Sequence, residues 1–294
     1  MRIGTRGSQL ARVQTGWVLD RLAAAHPDAA WDLQTIATTG DRNHEAPLGT
    51  GVFVKEIQQA LLDGRIDLAV HSLKDLPTDP TPGLVVAAVP TRADPRDALV
   101  GSTLGALAAG SRVGTGSPRR EAQLRRLRPD LDVVAIRGNV PTRVEKARRG
   151  EVHAVLLAAA GLARLGIEPD EVLAATDILP APGQGALALE CRDDDAALHA
   201  LLRALDEPAT RSAVTAERTV LRALGGGCLL PVATYGQIAD GVLVVEAAVT
   251  SADGRLQARA RAAGDPGRPD AVGGEVARQL IDLGALDLLE GLRP

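Results

Sequence analysis

Residues 54–73 read VKEIQQALLDGRIDLAVHSL, and this stretch decides the fold. Its first half, up to Gly64, predicts a helix, and IDLAVHSL predicts a short apolar strand. The same rhythm runs on both sides of it. MRIGT predicts a strand, SQLARVQTGWVLDRLAAAH a helix with apolar residues at helical spacing, and WDLQTIAT another strand. After the stretch VVAAVPTRADPRDALV the alternation starts again with RVGT, PRREAQLRRLRP, DVVAIRG, VPTRVEKARRG and AVLLAA. Strands alternating with helices predict a doubly wound parallel α/β sheet, here twice over. The Pro/Asp-rich segment near residues 90–97 is the expected crossing between the two sheets, and PAPGQGALALECR the crossing back. From Pro208 the texture changes to a long helix, ADG turns between apolar strands, and a last helix from Gly273, which predicts a third, α+β domain. The expected division is 1–92 with 186–204, then 96–180, then 208–294.

Composition narrows the function. The 294 residues are 45% hydrophobic and 24% charged, an ordinary globular balance that no stretch of ~18 uninterrupted apolar residues interrupts. Two cysteines make no disulfide framework and point to a reducing, cytoplasmic setting. The net charge of −4 hides a basic stretch. Between Ser111 and Gly150 ten arginines and Lys146 face four acids, 11 − 4 = +7. Such a patch asks for an anionic partner. With no aromatic residue in that stretch, nucleic acid is a poor candidate, because a stacking platform is missing. Small carboxylates or phosphates suit arginine forks better.

Ligands of doubly wound sheets bind where strands lead into helices. Four basic clusters fall at such edges: Thr5-Arg6-Gly7-Ser8, His71-Ser72-Leu73-Lys74-Asp75, GTGSPRR at 114–120, and Arg137-Gly138-Asn139 with Arg143 on the next helix. Ser117 is placed to cap a helix with Pro118 at its first position. Arg119 and Arg120 then stand in the first turn, where the helix dipole disfavours cations, so an anion is expected beside them. Asp75 is the candidate catalytic carboxylate, with a helix N-cap as its plain alternative. Phe53 is the only phenylalanine, and Lys55 and Lys74 are two of only three lysines. Cys191 reads as a small buried hydrophobe. Cys228 follows Gly225, Gly226 and Gly227, an accessible setting for a nucleophile or an attachment point. Two functional classes stay open on these residues: an enzyme, or a non-catalytic module binding a small anion.

The motifs RIGTRGSQLA, FVKEIQQALLDGRIDLAVHSLKDLP, DPRDALV, VGTGSPRREAQL, IRGNVPTR, LAAAGLARLG, APGQGALALECR and TAERTVLRALGGGC follow one another along nearly the whole chain. In this order they resemble the porphobilinogen deaminase (hydroxymethylbilane synthase) family. The resemblance implies two domains like type II periplasmic binding proteins and a C-terminal α+β domain with a three-stranded antiparallel sheet. It implies a monomer that joins four porphobilinogen molecules onto a dipyrromethane cofactor, thioether-linked to Cys228, and releases ammonia and then hydroxymethylbilane. Asp75 matches the family's essential aspartate. Lys74, Thr115, Ser117, Arg119, Arg120, Arg143 and Gln184 match cofactor-binding positions, and Arg6, Ser8, Arg137, Arg164 and Phe53 match substrate-binding ones. Thr50 stands where many relatives carry a lysine. Neither a metal, a nucleic acid nor a membrane enters that chemistry.

Overall fold

The computed structural model describes residues 1–36, 54–227 and 230–290. In chain order come β1 (Arg2–Arg6), α1 (Gln9–Ala25), β2 (Asp32–Ile36), α2 (Lys55–Leu62), β3 (Leu68–Ser72) and β4 (Leu84–Ala88). Next are β5 (Asp97–Val100), β6 (Arg112–Thr115), α3 (Pro118–Leu127), β7 (Asp132–Ala135), α4 (Val140–Arg148), β8 (Ala154–Ala158), α5 (Ala159–Arg164) and β9 (Glu171–Val172). The chain continues through β10 (Leu187–Arg192), α6 (Ala196–Leu202) and α7 (Pro208–Ala223). It closes with β11 (Val232–Ala239), β12 (Val242–Thr250), β13 (Gln257–Gly264), α8 (Pro269–Asp282) and α9 (Ala285–Leu289). Two compact units result: Met1–Ala93 with Ala186–Arg211, and Asp94–Gly185 with the chain from Ser212 onward.

The first unit holds a five-stranded sheet in the order β2-β1-β3-β10-β4. Helices cover both faces. Val18 and Leu22 of α1 pack with Ile3, Leu68, Leu189 and Cys191 on one, and Ile57 and Leu61 of α2 pack with Ile66 and Ala69 on the other. The second unit repeats the pattern as β7-β6-β8-β5-β9. Leu124 of α3 closes one face, and Val144 of α4 with Leu162 of α5 the other. The sheets are not wholly parallel as the alternation predicts. β10 runs antiparallel to β3 and β4, and β5 antiparallel to β8 and β9. Both strands follow directly on a chain crossing. No helix packed on the sheet leads into them, so the right-handed parallel crossover does not set their direction.

The second unit also carries the antiparallel sheet β11-β12-β13, whose first hairpin turns on Asp240 and Gly241. Neighbouring residues face opposite ways, as a strand's period of two requires. Val232 joins the core of α7 and α8, with Val220, Leu224, Val276 and Leu280, while Ala233 packs with Leu179 and Ala248. The expected last helix begins at Pro269, ahead of Gly273, because proline suits a first helical position, and Gly284 with its positive φ divides it into α8 and α9. Glu217 of α7 joins these layers. Its Oε1 accepts from Gly236 N (2.7 Å) and its Oε2 from Gly183 N (2.6 Å), and the side chain is fully buried. Glu217→Ala therefore strands two buried donors and is expected to cost about 2–4 kcal/mol, read as a lower urea midpoint at unchanged slope. An unshifted midpoint would show that water replaces the carboxylate.

Candidate functional site

In each unit the candidate residues stand at the carboxyl ends of the parallel strands, on either side of the point where the connections reverse direction. In the first unit that point lies between β1 and β3. Arg6 ends β1, and Ser8 caps α1, its Oγ accepting from Ala11 N at 3.3 Å. Ser72 ends β3 and accepts from Gln14 Nε2 (2.9 Å), and Leu73 N donates to Ala186 O (3.0 Å). A single 3₁₀ turn, Leu73–Asp75, then presents Lys74 half-buried and Asp75 exposed. Asp75 ends that turn and so caps no helix. Beneath it, buried His71 Nε2 lies 3.0 Å from Glu190 Oε2, and Gln58 Nε2 donates to Glu190 Oε1 (2.9 Å). These contacts fix the end of β3 from three elements.

In the second unit, Thr115 ends β6 and Ser117 occupies the N-cap position of α3, with Pro118 following it. The Ser117 side chain makes no capping hydrogen bond; instead Ser117 N donates to Thr115 Oγ1 (3.3 Å). The anion expected beside Arg119 and Arg120 is supplied by the chain itself. Asp97, the first residue of β5, is fully buried; its Oδ2 lies 2.7 Å from Arg119 Nη2, and its Oδ1 accepts from Arg120 Nε (3.0 Å) and Nη2 (2.7 Å). Arg119 Nη1 also donates to Leu179 O (2.6 Å). Gln184, fully buried, donates from Nε2 to Asp97 Oδ1 (2.8 Å) and Pro95 O (2.7 Å). Burial opposes ionisation of Asp97, yet the two guanidiniums overcome it and hold its carboxyl down at about 2.

One carboxylate does not balance this edge. Arg143 donates from Nε to Gly138 O (2.7 Å), and its guanidinium lies beside Gly116, where a Cβ would stand 3.7 Å from Nη1. Burial, with the Arg120 charge adding, weakens its hold on its proton. Arg164, at the end of α5, donates from Nη2 to Gly185 O (2.8 Å), and burial pushes it down to about 10. Among the described residues neither has a carboxylate partner. Arg119 Nε is a buried donor without an acceptor. Desolvated guanidiniums backed only by carbonyls are suited to ligand carboxylates, which return the lost charge pairing and accept two bonds each. A polycarboxylate pyrrole cofactor fits this donor set. Arg137 is exposed just beyond β7.

Phe53, Thr50 and Cys228 lie outside the described residues. The run before Cys228 is described. Gly225 N donates to Arg222 O (3.1 Å) and Gly226 N to Leu221 O (2.9 Å), closing α7 with the paired bonds of a Schellman motif. Gly225, Gly226 and Gly227 all have positive φ, at 104°, 65° and 110°, a run that side chains with a Cβ disfavour. Cys191 is buried in the first unit's core, and burial pushes its thiol up to about 12. Asp97 and Glu190 are absent from the sequence reading. The available signal is an acid inside an otherwise apolar strand, DALV and LALEC.

Two doubly wound five-stranded sheets of like strand order, each with basic residues where its strands lead into helices, define a class: two-sheet α/β proteins with an added antiparallel sheet. Residues 1–200 match the porphobilinogen deaminase, dipyrromethane cofactor binding domain, and residues 212–282 match the porphobilinogen deaminase C-terminal domain. The chain belongs to the porphobilinogen deaminase family. It is similar to the porphobilinogen deaminase of Desulforudis audaxviator, 47% identical over 300 residues, covering 99% of this chain and 97% of the relative. It is also similar to that of Acidothermus cellulolyticus, 48% identical over 303 residues, covering 99% and 91%. Among solved structures, a methionine-binding protein aligns at TM-score 0.44 and 12% identity, over 70% of this chain and 89% of that one.

Asp97 also predicts a pH dependence. Its folded carboxyl titrates near 2 against an ordinary 3.8, so its stabilisation is present above pH ~4 and is lost as pH falls from there towards 2. The gap in urea stability between the wild type and Asp97→Asn is expected to narrow by about 2 kcal/mol between pH 5 and pH 2. A gap that stays constant over this range would mean that Asp97 is not ionised against the arginines.

Proposed function

We infer that the protein is a deaminating transferase of tetrapyrrole biosynthesis. It joins four porphobilinogen molecules head-to-tail on a dipyrromethane cofactor, releasing one ammonia per addition and then hydroxymethylbilane by hydrolysis. The observation that carries this reading is the surplus of desolvated guanidiniums, Arg119, Arg120, Arg143 and Arg164, over Asp97, the single carboxylate that faces them among the described residues. Each pyrrole of the substrate carries an acetate and a propionate group, so a site for a growing chain needs cations in excess.

The cofactor, held through a thioether to Cys228, supplies a nucleophilic pyrrole carbon. Arg119, Arg120, Arg143, Thr115 and Ser117, with Lys74, hold its carboxylates, and Gln184 belongs to the same shell. Arg6, Ser8, Arg137, Arg164 and Phe53 bind the incoming porphobilinogen. Asp75, carried to the surface by the 73–75 turn, places a carboxylate against the positive charge that develops as ammonia leaves the substrate. A fixed charge aimed at developing charge lowers the barrier without reorganisation. The chain works as a monomer in the cytoplasm, in keeping with the family resemblance and its two cysteines.

The intact mass of the purified, denatured protein is expected to exceed the sequence mass by two linked pyrrole units, with the surplus absent in Cys228→Ser. An active chain of unmodified mass would end the cofactor assignment. Asp75→Asn is expected to reduce turnover by at least about 10²-fold while thermal unfolding stays unchanged, since it removes charge stabilisation from an exposed position. Near-wild-type turnover in this variant would remove Asp75 from the catalytic role.

A further inference from the structure

We propose that Asp97 and Gln184 are positioning residues of the carboxylate site, acting on the ligand only through Arg119 and Arg120. The proposal rests on the arginine-site reading above, and it moves Gln184 from a ligand contact to an internal support. The bonding pattern carries it. Asp97 Oδ1 takes three donors: Arg120 Nε, Arg120 Nη2 and Gln184 Nε2. That binds Arg120 along its Nε–Nη2 edge and leaves Nη1 outside these bonds. Asp97 Oδ2 forms an ion pair with Arg119 Nη2 at 2.7 Å and Leu179 O accepts from its Nη1 at 2.6 Å, which leaves its Nε a buried donor without an acceptor.

Gln184 locks this arrangement from the other side. Its Oε1 accepts from Arg120 Nη2 (3.3 Å), while its Nε2 is shared between Asp97 Oδ1 and Pro95 O. The amide is therefore committed at both ends to groups of the chain. A guanidinium is a planar fork, so fixing one edge fixes the direction of the remaining donors. Asp97 also sets the charge. Arg119, Arg120 and Arg143 with Asp97 leave +2, enough to attract carboxylates; without Asp97 the three cations would repel one another in a desolvated site. Supports of this kind tune a ligand site without touching the ligand.

The test compares four full-length chains purified in folded form: wild type, Asp97→Asn, Gln184→Met and Asp67→Asn. Asp67→Asn breaks an ion pair with Arg2 (2.8 Å) in the other unit and controls for lost stability alone. The readout is the fraction of folded chains carrying the two-pyrrole mass, set beside each urea midpoint. Asp97→Asn and Gln184→Met are expected to load about tenfold less than the wild type, and Asp67→Asn to load fully. Wild-type loading in folded Asp97→Asn or Gln184→Met overturns that residue's role. An equal loss in Asp67→Asn overturns the proposal as a whole, because loading would then follow stability. Where Asp97→Asn gives no folded chain, Gln184→Met decides. A wild type without the surplus mass overturns the functional reading and this proposal with it.

Discussion

Two guanidiniums and one carboxylate are withdrawn from water where β5 meets the first turn of α3, and much of the second unit is organised by that ion cluster. Burying a charge is tolerated only when it is paired and hydrogen-bonded. Asp97 meets this condition for Arg119 and Arg120 together, and so holds α3 against β5. Arg119 in turn binds Leu179 O, and Gln123 exchanges two bonds with the Leu179 backbone, at 3.0 Å and 2.9 Å. The segment thus fixed runs on through Pro180, whose carbonyl accepts from Thr234 N of β11, to Gly183, held by Glu217 of α7. One buried carboxylate therefore begins a continuous path of contacts from the α/β sheet to the antiparallel sheet.

The two five-stranded sheets share an order but put it to different chemical use. In both, the antiparallel strand supplied by a chain crossing carries a buried acid, Glu190 in β10 and Asp97 in β5. Glu190 accepts from Gln58 and lies 3.0 Å from the His71 ring, and the edge above it exposes the carboxylate of Asp75. Asp97 is paired with two arginines, and among the described residues its edge is left with cations in excess. The same topology thus offers a carboxylate in one unit and guanidiniums in the other.

Much of this was legible along the chain. The alternation of apolar runs with helical periodicity marked most strand-to-helix edges, though not those into α5 and α6, and the arginines, Asp75 and the glycine run stood out by position and scarcity. Ser117 was readable as an N-cap position from the Ser-Pro pair, although its hydroxyl makes no cap bond. The direction of β5 and β10 was not legible, because residue pattern distinguishes a buried strand from a helix but not a parallel neighbour from an antiparallel one. Asp97 and Glu190 escaped notice for a related reason. Each is a single acid in an apolar strand, and its partners are 22–87 residues away for Asp97 and 119–132 for Glu190 along the chain.

The amino-acid sequence by itself determined the succession of elements, the places where basic loops leave the strands, and the three glycines that let the chain turn through positive φ before Cys228. Local propensity, capping and backbone sterics act over a few residues, so they are written in adjacent positions. Only the tertiary structure decided that the anion beside Arg119 and Arg120 is Asp97, that Gln184 is engaged by the chain itself, and that Arg143 and Arg164 have no carboxylate partner among the described residues. Charge pairing and desolvation depend on distances through space, and those exist only once the sheets have formed.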